Sequence, residues 1–135
     1  FFLKDRLPKN WKLKSLHNLA ESKVYEHLSK SRIFLSFSDM EGLGIPPIEA
    51  AIAGNKVIGY PGEGGKEYWK KPIFTEIPHG NISKFIDEIL LHIKQKKLRG
   101  KFTVARKKII NQFSPHQEKN KLIYMIKKIR TGYYK

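Results

Sequence analysis

The sequence predicts an α/β protein in which an open parallel sheet lies between layers of helices. Short apolar runs rich in β-branched and aromatic residues alternate with helical patterns, and the connections between them are short. Such alternation is typical of right-handed βαβ units. The chain of 135 residues is 40% hydrophobic and 12% aromatic, so it can bury the core of one domain.

The first elements lead into the most apolar strand of the chain. We predict a strand within Leu13–Leu19, followed by a helix over Ser22–Ser29 in which Tyr25 belongs to the apolar stripe. Ile33–Phe37 is a compact run of strand-forming residues and is expected to be buried on both faces, as in a parallel sheet.

The central elements continue the alternation of helices and strands. A helix is expected from about Pro47 to Ala53, since proline suits a first helical turn, and it is followed by a strand over Lys56–Tyr60. A glycine-rich turn, Pro61–Gly65, precedes a short helix over Glu67–Trp69 and a fourth strand over Ile73–Ile77. This order predicts about four strands.

The pattern after Asn81 is helical, with separators at Gly100 and at Ser114-Pro115. We divide the chain into an α/β unit at 1–98 and basic C-terminal helices at 99–135 that pack on it. The residues expected to face inward are Ile82, Phe85, Ile86, Ile89, Leu90 and Ile93, then Phe102, Ala105, Ile109 and Phe113, and finally Leu122, Ile123, Ile126 and Ile129.

The net charge of +15 is concentrated in the tail, where residues 92–135 hold 14 basic side chains and one acid. A basic surface attracts phosphates, and we hypothesise an anionic membrane surface as its partner. A solvated face of lysine-rich helices is the alternative. No nucleic-acid-binding module pattern is present, so no nucleic-acid partner is expected. The absence of cysteine excludes disulfides and fits a cytoplasmic protein. Together with the basic tail, it predicts a protein bound to the inner face of the membrane.

The segment from Glu41 to Ala50 contains the chemistry of a phosphate-sugar site. It follows the buried strand, and ligands of open α/β sheets bind at the carboxyl ends of strands. Gly42 and Gly44 allow a ligand to approach the backbone, and the next helix offers an anion site at its start. Glu49, expected in the first helical turn, is a two-oxygen acceptor that suits a ribose diol. Helix capping alone would explain one acid here, but not two acids with these glycines and prolines.

This segment resembles the signature of retaining glycosyltransferases of the GT-B fold, in the large family four of group 1 transferases. That signature has two glutamates separated by seven residues, around E-G-[FL]-G-[LI]-P-x-x-E-A, and it is intact from Glu41 to Glu49. The flanking helices and strands match as well, over roughly Lys23 to Phe85. The resemblance implies a Rossmann-like donor-binding domain, the C-terminal half of such an enzyme, with an open sheet in three layers.

The resemblance also implies roles for individual residues. Glu49 would bind the ribose hydroxyls, and Glu41, the catalytic candidate, would hold the donor sugar at the reacting centre. Backbone N–H groups around Leu43, Gly44 and Ile45 would face the sugar or the diphosphate, beside Gly42. In the family the reaction retains the anomeric configuration, usually without a metal. We therefore expect no metal and no cofactor apart from the nucleotide diphosphate sugar used as donor.

Pro61–Gly65 and the following Lys66 depart from the commonest family pattern. Because this segment follows the next strand, it is a candidate for lining the same cleft, with Lys66 meeting a phosphate. A purely structural turn is the alternative. The segment is not a Walker loop, because the spacing differs and Lys66 is not followed by Ser or Thr.

These observations predict the donor-binding part of a retaining, hexosyl-transferring glycosyltransferase, of bacterial origin, that builds a surface polysaccharide or glycolipid. The acceptor-binding N-terminal domain of the family has no counterpart here, so we expect the chain alone to transfer no sugar efficiently. A non-enzymatic module that binds a nucleotide sugar or a polyanion, including nucleic acid, is the alternative.

Overall fold

The structure is a computed structural model that describes residues 3–37, 42–95 and 102–130, with only the helical backbone described at 121–122 and 125–130. After a 3-10 turn at Lys4–Arg6, helices and strands alternate along the chain. The elements are α1 (Glu21–Lys30), β1 (Ile33–Ser36), α2 (Ile45–Ile52), β2 (Lys56–Gly59), α3 (Gly62–Gly65), β3 (Phe74–Glu76), α4 (Ile82–Ile93), α5 (Thr103–Gln112) and α6 (Pro115–Arg130).

The strands form a parallel sheet in the order β1-β2-β3. Val57 of the central strand β2 lies opposite Phe34 on one side and Phe74 on the other. Every residue of β2 is buried, which is expected for a central strand covered by helices on both faces. The predicted α/β class with a parallel sheet is confirmed.

Two apolar clusters lie on opposite faces of this sheet, because successive side chains of a strand point to opposite faces. On one face, α1, α2 and α5 pack around Val57, and Ile109 of α5 is buried in that cluster. On the other face, α4 packs Phe85 and Ile89 against Ile58. The result is a Rossmann-like arrangement in three layers. The boundary proposed between 1–98 and 99–135 lies in residues outside the description, so that division stays a prediction.

The strand predicted within Leu13–Leu19 is wrong. Residues 11–16 have no regular structure, and Leu13 is 50% exposed. An isolated alternating pattern does not form a strand unless a neighbouring strand satisfies its backbone groups. Within the described ranges, β1 pairs with β2 alone, so this segment has no strand beside it.

The short helix predicted over Glu67–Trp69 is also wrong, because the helical turn is α3 and residues 66–68 form a turn after it. Pro61 precedes α3 with a φ of −74°, a value that its ring favours and that suits the start of a helix. Tyr68 and Trp69 are instead drawn into the core, where they are 2% and 7% exposed.

Three predicted apolar faces each contain a residue that is exposed in the structure. Tyr25 of α1 is 47% exposed, Ile82 at the start of α4 is 52% exposed, and Ile123 of α6 is 41% exposed. The side chains of Leu122, Ile126 and Ile129 lie outside the description. In α5 the inward face is as predicted, since Phe102 and Ile109 are buried and Phe113 packs against them.

Lys56, the first residue of β2, is a buried charged side chain that is 2% exposed. Its Nζ donates a hydrogen bond to the Pro72 carbonyl and lies 5.8 Å from the centre of the Phe102 ring. Burial lowers the pKa of Lys56 from 10.5 to about 8, because the charged form loses hydration. A nearby carboxylate, Glu88, offsets part of that effect.

This burial predicts a rise in stability with pH. Between about pH 8 and 10.5 the unfolded chain binds the proton of Lys56 more tightly than the folded chain, so the free energy of unfolding increases across that window. This shift corresponds to a penalty on the order of 3 kcal/mol at neutral pH. Urea denaturation at several pH values should show wild type gaining stability relative to Lys56→Met in this window. The exposed control Lys70→Met should track wild type, and parallel curves for wild type and Lys56→Met would contradict the prediction.

Candidate functional site

The carboxyl ends of the three parallel strands lie at one edge of the sheet, where ligands of such sheets bind. Aromatic rings follow two of the strands. Phe37, after β1, stacks on Phe85 of α4 at 5.0 Å, and Tyr60, after β2, contacts both Phe85 and His79. These ring contacts connect the ends of β1 and β2 to α4.

The turn into α2 is made by Gly44, which has φ 65° and ψ 70°. This left-handed conformation costs little for glycine because it has no Cβ. The helix begins at Ile45, two residues before the predicted start, so Pro46 and Pro47 occupy its second and third positions. Both prolines lack an N–H, and the donors left at the start of the helix are therefore those of Gly44 and Ile45.

Gly64 of α3 packs directly on the backbone of this segment. A Cβ placed on Gly64 would lie 2.3 Å from the carbonyl oxygen of Gly42 and 3.1 Å from the nitrogen of Leu43. Only glycine permits so close an approach. The glycine-rich turn after β2 thus supports the loop that precedes α2.

Tyr68 fixes the other end of the same loop. Its hydroxyl donates a 2.9 Å hydrogen bond to the carbonyl oxygen of Gly44. Its ring is 2% exposed and packs edge-on against Phe74 and Phe113, at 5.3 and 5.4 Å. A buried tyrosine usually finds a partner for its hydroxyl, but the burial of Tyr68 is evident only from the structure.

Glu49 is the fifth residue of α2 and not a first-turn residue as predicted, because the helix begins earlier. Its side chain is half-buried and is directed toward α1, where the Tyr25 hydroxyl lies 3.2 Å from Glu49 Oε1. The same hydroxyl lies 3.1 Å from Glu21 Oε1. The hydrogen bond with Glu21, followed by the charge of Glu49, raises the pKa of Tyr25 above 10.0. Sequence reasoning missed this contact because it assigned Tyr25 to an apolar face.

Lys66 forms an ion pair with Glu63, with 3.5 Å between Nζ and Oε2. Both side chains are well exposed, at 61% and 85%. Exposed pairs of this kind contribute little energy and do not fix a side chain. The structure therefore places Lys66 at the surface next to α3, with its role toward a phosphate still a prediction.

Glu41, the catalytic candidate, lies outside the described residues, as do residues 38–40. Gly42, Leu43, Gly44, Ile45 and Glu49 are described, and they span the turn into α2 and the first five residues of that helix. In the part of the chain that the structure describes, no group of three or more His, Cys, Asp or Glu side chains could hold a metal ion.

An open parallel sheet with a glycine turn and a helix start at its carboxyl edge defines a Rossmann-like ligand-binding domain. The chain belongs to the group 1 glycosyl transferases, because the model of that family matches residues 5–109. This match confirms the resemblance found in the sequence.

A curated relative is similar over a shorter stretch. The chain is 44% identical over 43 residues to a protein named "Putative glycosyltransferase ORF378" from Acidianus filamentous virus 2 (isolate Italy/Pozzuoli). That match covers 32% of this chain and 11% of the relative, so the chain spans about a tenth of the relative's length. No solved structure matches the chain.

Proposed function

We propose that this chain is the donor-binding part of a retaining glycosyltransferase. It would transfer a hexose from a nucleotide diphosphate sugar to a glycan or lipid-linked acceptor in the synthesis of a surface polysaccharide. The bacterial origin expected from the sequence stays a prediction. The observation that carries the proposal is the Gly44 turn, held by Tyr68 and Gly64, which connects Gly42 to Glu49 inside the segment that the family model matches.

The donor would bind along this turn. The N–H groups of Gly44 and Ile45, together with the positive end of the α2 dipole, suit the negative charge of a diphosphate. The N–H of Leu43 is a further donor on the sugar side. Glu49, one turn into α2, would accept the hydroxyls of the ribose. These backbone donors supply positive potential at the diphosphate, so we propose no metal or other cofactor for the site.

The proposed reaction is a front-side displacement. The bond from the anomeric carbon to the diphosphate oxygen breaks as the bond to the acceptor oxygen forms on the same face of the sugar. Because the new bond forms on the face from which the diphosphate departs, the configuration is retained. The acceptor hydroxyl gives its proton to an oxygen of the departing diphosphate. Glu41 would hold the hydroxyls of the donor sugar, and the donors at the start of α2 would stabilise the charge that develops on the leaving group.

The competing function is a module that binds polyanions through charge alone. Calorimetric titration of the chain distinguishes the donor site from the polyanion module. The ligands are the diphosphates of uridine, adenosine and guanosine, and inorganic pyrophosphate. A donor site should bind one nucleoside diphosphate saturably and more tightly than pyrophosphate. Equal binding of all of them, with a steep dependence on salt, would contradict the donor site and support the polyanion module.

A basic surface on α5 supports placement at the inner face of an anionic membrane. Arg106, Lys107 and Lys108 are exposed, Val104 is 72% exposed, and α5 contains no acid. Basic side chains beside exposed apolar ones suit binding to anionic lipid, at roughly 1 kcal/mol per lysine. In the described ranges, no helix combines the length and the apolarity needed to cross a membrane.

This placement predicts co-sedimentation with phosphatidylglycerol vesicles at low salt, and none with phosphatidylcholine vesicles. Replacing Lys107 and Lys108 with glutamate should weaken the binding at least tenfold, since each substitution reverses a charge. The control Lys70→Glu, on an exposed lysine after α3, should change it much less. Failure of wild type to sediment with anionic vesicles would contradict the membrane proposal.

A further inference from the structure

The contact between Tyr25 and Glu49 joins two helices that are far apart in the sequence. Tyr25 is 47% exposed, yet its hydroxyl is within hydrogen-bond distance of two carboxylates, Glu21 Oε1 at 3.1 Å and Glu49 Oε1 at 3.2 Å. A tyrosine hydroxyl has one proton to donate. Glu21 and Glu49 therefore share a single donor, which lies on α1.

We propose that Tyr25 is a positioning residue of the donor site, whose hydroxyl holds the Glu49 carboxylate in the orientation that accepts both hydroxyls of a ribose. The site would then be selective for ribonucleoside diphosphates over their 2′-deoxy counterparts. This inference rests on the proposed function of Glu49 as the ribose acceptor.

The physical reason is the flexibility of glutamate. An unrestrained glutamate has several rotatable bonds, and ordering it costs entropy each time a ligand binds. Tyr25 has fewer rotatable bonds, and its hydroxyl has a second acceptor, Glu21, one helical turn away. The hydroxyl can restrain Glu49 before the donor arrives, which lowers the cost of binding.

Glu21 is a second acceptor for the Tyr25 hydroxyl. A carboxylate has about four lone-pair sites, so a diol that donates one hydrogen bond to each oxygen of Glu49 leaves a site for Tyr25. The Tyr25 hydroxyl can therefore keep its bond to Glu49 when the ribose is bound. The two carboxylates raise the pKa of Tyr25, so the hydroxyl remains protonated and a donor at neutral pH.

The test compares a ribonucleoside diphosphate with its 2′-deoxy form, using the base that wild type binds most tightly. The affinity of wild type should be about tenfold higher for the ribose form, which is the effect expected from one hydrogen bond to a charged acceptor. Tyr25→Phe should lose about tenfold in affinity for the ribose form and little for the deoxy form, so the ratio should fall toward one. A purely structural loss would weaken both ligands equally and leave the ratio unchanged.

Glu21→Gln is the matched control on the same helix. It leaves the bond from Tyr25 to Glu49 in place, so the ratio should stay within about twofold of wild type. A Tyr25→Phe protein that keeps the ribose preference of wild type would overturn the inference and leave the donor site standing. If wild type binds none of the nucleoside diphosphates, the proposed function fails and this inference fails with it.

Discussion

Glu49→Ala is expected to abolish saturable binding of nucleoside diphosphates. A carboxylate that accepts two hydroxyls of a ribose makes two charge-assisted hydrogen bonds, which are about twice as strong as neutral ones. Losing both is expected to cost about 3 kcal/mol, or roughly a hundredfold in affinity. Because Glu49 is half-buried and has Tyr25 as its partner across the helices, the change should affect the ligand more than the fold.

The measurement is calorimetric titration of the nucleoside diphosphate that wild type binds best. Glu49→Gln keeps the size of the side chain and one carbonyl acceptor, so it should retain part of the affinity. Asp87→Ala removes the same charge from an exposed position on α4 and should bind as wild type does. Affinity within threefold of wild type for Glu49→Ala would rule out Glu49 as the ribose acceptor.

Gly59→Ala is expected to unfold the chain or to destabilise it by more than about 4 kcal/mol. Gly59 ends β2 with a φ of +147°, which side-chain-bearing residues rarely adopt. A Cβ there would lie 1.9 Å from the carbonyl oxygen of Ser36 and 2.7 Å from its carbonyl carbon. Ser36 is the sheet partner of Gly59, so no flexible side chain can yield.

Urea denaturation followed by circular dichroism measures the effect. Gly42→Ala is the control for stability, because no atom of the described residues lies within 4 Å of a Cβ placed there and its φ is not positive. Its unfolding midpoint should stay close to that of wild type. A Gly59→Ala protein within about 1 kcal/mol of wild type would show that β1 and β2 can separate at this end without cost.

Much of the architecture was predictable from local patterns. The apolar runs at Ile33–Phe37, Lys56–Tyr60 and Ile73–Ile77 each contain a strand of the parallel sheet, shortened by one or two residues. The two-glutamate segment indicated the family, and the family match over residues 5–109 confirmed it. These features depend on the order and type of neighbouring residues, which a sequence displays directly.

Secondary structure that depends on contacts with residues distant in the sequence was predicted less well. The strand expected within Leu13–Leu19 is absent because no neighbouring strand pairs with it among the described residues. The start of α2 was misplaced because Gly44 takes a left-handed conformation, held from 24 residues away by Tyr68. That conformation in turn moves Glu49 into the second turn of its helix.

The sequence by itself determined the fold class, the family and the segment in which a donor site is to be sought. Only the tertiary structure decided how that segment is held: Tyr68 bonds Gly44, Gly64 packs on Gly42, and Tyr25 meets Glu49. The physical reason is that hydrophobic periodicity reports which face of an element is buried, whereas the partner of a polar group depends on packing between elements. The residues proposed for the donor site are therefore readable from the sequence, and the contacts that orient them are not.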